Sequence, residues 1–98
     1  MRFVKGDEYA LSPCYRRDSI WIGCYLIGDR GWDALLHDFE ALAVRYNGRP
    51  HWGKEYQIDR AYLREQYPQL DAFCALRDRL DPDHKFSNVM IDAICGTI

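Results

Sequence analysis

Arg49-Pro50-His51-Trp52-Gly53-Lys54 gathers a guanidinium, an imidazole, an indole and an ammonium into six consecutive residues. Lysine is a compact cation suited to holding negative charge, and histidine donates, accepts or exchanges a proton near neutral pH. The proline and glycine in the same stretch disfavour a regular helix or strand, so it reads as a loop carried on a scaffold, where binding groups concentrate. Two readings follow from the residues alone. In one, His51 and Lys54 face a ligand beside Trp52. In the other, Trp52 is a core aromatic, His51 a satisfied buried imidazole and Lys54 a solvated surface amine.

The elements that must position this loop lie on both sides of it. Upstream, Trp32, Leu35, Leu36, Phe39, Leu42, Ala43 and Tyr46 recur at helical spacing, and Asn47-Gly48 supplies a left-handed stop. Downstream, Asp59 is placed to cap a short helix that runs to Tyr67 and is halted by Pro68. Leu70, Phe73, Cys74, Arg77 and Leu80 predict a further helix ended by Asp81-Pro82. Phe86 to Ile91 reads as a short closing segment in which Asn88 turns the chain or bonds to backbone.

Strands come first in the chain. Arg2 to Val4 and Tyr9 to Leu11 read as short extended pieces, with Gly6-Asp7 a turn and Ser12-Pro13 a break. Ser19 to Ile27 is apolar at successive positions and rich in β-branched and aromatic types, which predicts a strand covered on both faces, with Gly23 a bulge or close approach. Strands followed by helices predict an α+β fold: a small open, mainly antiparallel sheet with helices packed on one side.

A chain of 98 residues forms one domain at most, and at this size it buries only about 60–65% of its unfolded surface. Hydrophobic content of 48%, with 14% aromatic, exceeds what so thin a core absorbs, so apolar surface is left for a partner or for self-association into a homo-oligomer. A net charge of −2 with interspersed signs lacks the basic stripe that phosphate backbones require, which argues against nucleic acid as a partner. No apolar run reaches membrane length and the first residues lack a signal-peptide core, so a soluble, non-secreted, cytoplasmic chain is expected. Cys14, Cys24, Cys74 and Cys95 show no Cys-x-x-Cys spacing, and the expectation is four free thiols and no metal site.

Arg2-Phe3-Val4-Lys5-Gly6-Asp7, Leu11-Ser12-Pro13-Cys14-Tyr15, Arg17-Asp18-Ser19, Gly48-Arg49-Pro50-His51-Trp52-Gly53-Lys54, Tyr67-Pro68, Phe73, Leu80-Asp81-Pro82 and Phe86-x-Asn88 follow one another in an informative order. In that order and spacing the chain resembles, end to end, the C-terminal part of the flavin-dependent sugar-1,4-lactone oxidases, the gulonolactone and arabinonolactone oxidases, with alditol oxidases more distant. The resemblance implies the last portion of the cap, or substrate, domain of a vanillyl-alcohol-oxidase-like flavoenzyme. FAD would then be bound mainly by a separate domain outside this chain, and the parent protein would be cytoplasmic or membrane-associated.

The implied chemistry is oxidation of a CH–OH group of a sugar lactone by hydride transfer to flavin, with oxygen as acceptor. The isolated chain would be inactive. Lys54 is the implied fixed charge near the pyrimidine end of the flavin, and His51 and Trp52 are implied beside the cofactor, His51 placing substrate or exchanging a proton. Arg2 matches the arginine of a Glu-x-Arg pair that bonds substrate hydroxyls in alditol oxidases, its glutamate falling just before Met1. Tyr25 is an implied substrate contact, and Arg17 with Asp18 reads as a structural ion pair. Gly23 and Tyr25 stand where alditol oxidases carry histidine and threonine, which favours the lactone branch, and Tyr56 stands where many relatives have a histidine two positions after the motif lysine, a departure that leaves the substrate within the class open. The alternative is a stand-alone binding or assembly module without catalytic activity.

Overall fold

Phe3 and Val4 need a partner strand to satisfy their backbone, and they find it in Ser19 to Trp21. In a computed structural model, which describes residues 1–28 and 30–96, β1 (Arg2–Val4) and β2 (Ser19–Trp21) form a two-stranded antiparallel sheet. The register pairs Arg2 with Trp21, Phe3 with Ile20 and Val4 with Ser19. Side chains alternate across a ribbon, so Arg2, Val4, Ser19 and Trp21 share one face while Phe3 and Ile20 share the other. Both Phe3 and Ile20 are exposed.

The segment between the strands is folded back on itself. Asp7 bridges Tyr15, its N–H donating to Cys14 O at 3.0 Å and its carbonyl accepting from Arg16 N at 2.7 Å. The Asp7 carboxylate also takes bonds from Ser12 Oγ at 2.6 Å and Tyr9 N at 3.0 Å, while Asp18 Oδ1 accepts from Gly6 N at 2.8 Å. At Gly6 the chain passes so close to Arg17 that an added Cβ would meet its backbone C, N and O at 2.8, 2.9 and 3.0 Å. Gly6→Ala is therefore expected to destabilise the chain by about 1–3 kcal/mol, the size of an overpacking strain, in a urea titration. A midpoint unchanged from the parent would refute that tight crossing.

α1 (Trp32–Arg45) begins after Gly31, whose φ of 82° only glycine adopts freely. It ends as its sequence demands: Asn47 takes φ 55°, its N–H bonds Val44 O at 3.1 Å, and Gly48 N–H bonds Ala43 O at 2.8 Å. Leu36 is the buried centre of its apolar face, whereas Leu42 and Tyr46 on the same stripe stay exposed. Met1 to Ile58 make one compact unit, whose small core holds Cys14, Tyr15 and Leu36.

The second unit, from Asp59 onward, is helical. α2 (Arg60–Gln66) is capped by Asp59, which accepts from Tyr62 N at 2.9 Å; α3 (Leu70–Leu80) follows Pro68. α4 (Val89–Cys95) is capped by Asn88, whose side chain accepts from Ile91 N at 3.0 Å. These three helices contact one another around Leu63, Tyr67, Leu70, Cys74 and Ile94, of which Leu63, Tyr67 and Leu70 are 1% exposed. Arg60 donates to Cys95 O at 2.9 Å and Arg77 to Gly96 O at 3.1 Å, two cations on the carbonyl end of α4, where the helix dipole favours positive charge.

In the α3–α4 connection, Asp81 accepts backbone bonds from Phe86 and Lys85, both at 2.9 Å. The bond from Phe86, followed by that from Lys85 and the nearby His84 and Arg77, holds its carboxyl below the usual range. A lowered folded value means the contribution is complete above the unfolded titration near pH 4 and fades as pH falls through the folded value. Acid unfolding of Asp81→Asn should therefore show a shallower loss of stability below about pH 4 than the parent; equal slopes would exclude the effect.

Several sequence expectations are corrected. The α+β class holds, as a two-stranded antiparallel sheet and four helices, but within the first unit α1 makes no close backbone approach to either strand. The strand expected from Ser19 to Ile27 stops at Trp21, because Trp21 pairs with Arg2 and the residues from Ile22 run past the end of that partner; Ile22, Tyr25 and Ile27 are exposed rather than covered. Tyr9 to Leu11 is a turn, closed by Ser12 N to Tyr9 O at 2.9 Å. The closing segment contains a helix, α4, and Cys74 and Cys95 are not free thiols: they form a disulfide, with Cα atoms 5.3 Å apart. That pairing depends on α4 returning along α3, a contact between residues 21 apart that no local spacing announces. Cys14 and Cys24 are free.

Candidate functional site

The 49–54 loop is pinned to the 11–15 segment of the first unit. Arg49 Nη1 donates to Tyr15 O at 2.9 Å and to Pro13 O at 3.4 Å, and Trp52 Nε1 donates to Leu11 O at 2.7 Å. These carbonyls belong to the 11–15 segment, whose proline and turn leave them without strand partners. Following the loop, Glu55 accepts from Trp32 Nε1 and Glu40 Oε1 accepts from Gln57 N at 2.6 Å, which ties residues 55–57 along α1. A cation and an indole thus satisfy backbone acceptors, so half of the motif's conspicuous side chains serve to hold its shape.

The remainder of the loop is presented outward. His51 O accepts from Lys54 N at 3.0 Å, which closes a tight turn, and both His51 and Lys54 are exposed. The imidazole stands edge-on to Trp21, ring centroids 5.5 Å apart at 82°, and its Nδ1 accepts from Gly53 N at 3.0 Å. Trp21 is fixed in turn by its indole N–H, which donates to the Sγ of buried Cys14 at 3.1 Å. Trp52 is half-buried and meets Tyr56 edge-on at 6.1 Å, and burial pushes the Tyr56 phenol up. Its Oη has no hydrogen-bond partner among the described residues.

Arg2 enters the same neighbourhood through the sheet register. It lies opposite Trp21 on the face whose indole contacts His51, and it is exposed. The structure therefore brings Arg2, Trp21 and His51 together from three parts of the chain, with Lys54 closing the His51 turn. Tyr25 is 93% exposed and lies beyond β2 rather than on a strand. Among the described residues no group of three or more histidine, cysteine, aspartate or glutamate side chains is arranged to hold a metal ion, and no helix is long and apolar enough to cross a membrane.

Sequence reasoning singled out His51, Trp52, Lys54 and Arg2 but missed Trp21, Cys14 and the anchoring role of Arg49. The alternation of β2 carried a signal for Trp21, since it falls two residues from Ser19 on one face; only the register reveals that this face is also Arg2's.

Comparison with known proteins bears on what this arrangement serves. The model of the D-arabinono-1,4-lactone oxidase family matches residues 1–94. The L-gulono-1,4-lactone dehydrogenase of Mycobacterium tuberculosis is 42% identical over 96 residues, covering 98% of this chain and 22% of the relative. L-gulonolactone oxidase of Bos taurus is 34% identical over 98 residues, and alditol oxidase of a Streptomyces species 35% identical over 94, covering 96% and 93% of this chain and 22% of each relative. The chain thus spans about a fifth of the length of these relatives. With the match running almost from end to end, and with the 2–7, 11–15 and 49–54 segments meeting in one unit, the chain belongs to the D-arabinono-1,4-lactone oxidase family of flavin-linked oxidoreductases.

Proposed function

We propose that this chain supplies the substrate-side surface of an FAD-dependent oxidase acting on a CH–OH group of a sugar-1,4-lactone, of the arabinono- or gulono-lactone type, in concert with a flavin-binding domain. The observation that carries the reading is the convergence of Arg2 and His51 on Trp21, with the exposed Lys54 in the turn that His51 begins. An imidazole and a guanidinium that share Trp21, with an exposed ammonium three residues further along the same loop, fit one edge of a flavin ring and a polyhydroxylated substrate.

When bound, flavin supplies the hydride acceptor. The chain's own residues have simpler tasks. Lys54 places a fixed positive charge where negative charge accumulates, and a preset charge needs no reorganisation during reaction. Arg2 offers a planar fork of donors to hydroxyl or lactone oxygens and orients the carbon that reacts. Arg49 and Trp52 hold the loop so that these groups keep their places.

Reconstitution tests the proposal. The chain alone should leave the absorbance and fluorescence of added FAD unchanged, whereas the chain assembled with a flavin-binding domain of the family should bleach on addition of L-gulono-1,4-lactone or D-arabinono-1,4-lactone. An assembled protein that holds flavin, yet is bleached by neither lactone, would sink the reading.

A second reading has its own observation. Phe3 and Ile20 form an exposed apolar cross-strand pair, 78% and 53% accessible, and Ile22, Tyr25 and Ile27 extend the apolar exposure. A chain whose present role is assembly would self-associate through that surface. Light scattering decides it: a strictly monomeric chain across the micromolar range excludes self-association.

A further inference from the structure

The side chain of His51 is held by an unusual number of constraints for an exposed residue. Its backbone sits between two anchors, Arg49 on the Tyr15 and Pro13 carbonyls and Trp52 on the Leu11 carbonyl, and its own carbonyl is tied to Lys54 N. Its ring rests against Trp21, which is itself fixed through Cys14 Sγ. One ring nitrogen is already engaged, because Gly53 N–H donates to Nδ1 at 3.0 Å. There is little slack here: a Cβ at Gly53 would lie 3.3 Å from His51 Cε1 and 3.5 Å from Nδ1.

A backbone N–H that donates to Nδ1 needs a lone pair there. In the neutral imidazole the proton must then sit on Nε2. Protonating Nδ1 would set two N–H groups against each other and cost the Gly53 bond. We propose that His51 is a preset hydrogen-bond donor, fixed as the Nε2–H tautomer by Gly53 and Trp21, that presents this N–H to a carbonyl oxygen or ring nitrogen of the bound ligand and does not act as a proton-abstracting base. The assignment of the tautomer stands on the chain's own geometry; only the identity of the ligand rests on the lactone-oxidase reading.

The shared chemistry is an acceptor atom on a planar ring, and two molecules of that reading carry one, the flavin and the lactone carbonyl. A base at this position would need Nε2 free of its proton, which the Gly53 bond opposes. A donor at this position needs no proton movement, and its contribution is realised as soon as an acceptor arrives.

The chain itself, labelled with ¹⁵N at histidine, decides the tautomer. Long-range proton–nitrogen spectra at a pH where the imidazoles are neutral should show His51 with an unprotonated, hydrogen-bonded Nδ1 and a protonated Nε2, identified by its loss in His51→Gln. The Gly53 amide should exchange slowly, stay protected in His51→Asn, whose side-chain oxygen can replace Nδ1, and lose protection in His51→Ala. A protonated Nδ1, or a Gly53 amide indifferent to all three substitutions, overturns the proposal whether or not the chain serves a flavoenzyme.

In the enzyme assembled with its flavin-binding domain, His51→Asn keeps the loop bond and removes the outward donor. Turnover should fall about tenfold, the size of one lost hydrogen bond to a strong acceptor, and His51→Gln, whose amide N–H reaches the Nε2 position, should recover most of that loss. A shifted flavin spectrum in His51→Asn without lactone identifies flavin as the acceptor, and a raised KM for L-gulono-1,4-lactone with an unshifted spectrum identifies the lactone. Equal losses in His51→Asn and His51→Gln, with a bell-shaped pH profile losing its low-pH limb in both, would show a base instead.

Discussion

Cys95→Ser is expected to lower the unfolding free energy of the helical unit by about 3 kcal/mol, the value for releasing a cross-link that closes a loop of about twenty residues. The disulfide joins α3 to α4 across a separation of 21 residues, and it adds to the Arg60 and Arg77 bonds on the Cys95 and Gly96 carbonyls. Those bonds and the burial of Ile94 remain in the variant, so α4 should stay docked at low temperature while the unfolding transition moves to lower denaturant. The m-value should rise, because the unfolded chain without a cross-link exposes more surface. Dithiothreitol should bring the parent to the variant's midpoint and leave the variant where it was. Thiol titration of the unreduced, denatured chain should count two reactive groups, Cys14 and Cys24. Four reactive thiols, or a parent midpoint indifferent to reductant, would show that the bond does not form in solution.

The second large effect falls on chemistry rather than stability. In the enzyme assembled with its flavin-binding domain, Lys54→Met should slow flavin reduction by lactone at least about tenfold in stopped-flow measurements, since removing a preset charge from a developing anion costs a kcal/mol or more. Methionine keeps the length and apolar stem of lysine, and the Lys54 backbone bond to His51 O is untouched. The exposed side chain should therefore leave the melting temperature nearly unchanged, within the range of ordinary surface substitutions. Lys54→Arg should retain much of the rate. A Lys54→Met enzyme reduced at the parent rate would return Lys54 to the solvated surface.

Legibility in the sequence followed the range of the interactions. Asp59 capping α2, the Asn47-Gly48 stop of α1 and the end of α3 before Pro82 are decided within a turn or so of the residue concerned, and each was readable from residue type. α4 was harder, because Val89-Met90-Ile91 reads equally as strand and only the Asn88 cap bond shows the helix; the disulfide was lost with it. The Ser19–Ile27 run misled for the opposite reason. Its apolar content invited a long covered strand, but pairing ends where β1 ends, and composition carries no information about partner length.

The site divided along the same line. His51, Trp52 and Lys54 were visible as a cluster because they are neighbours in sequence. Their division of labour was not, since Trp52 and Arg49 bind carbonyls more than thirty positions away and Trp21 is brought to His51 by the packing of β2.

The crossing of Gly6 over Arg17, with the Asp18 bond to Gly6 N and the Asp7–Tyr15 bridge, sets the alignment of a ladder only three residue pairs long. A slip of one residue in that ladder would turn Arg2 to the opposite side of the ribbon, away from His51. Residues with no reactive group of their own thus decide which way the guanidinium faces. A substitution at Gly6 or Asp18 would then mimic the loss of Arg2 itself, when what has changed is only the face on which Arg2 is presented.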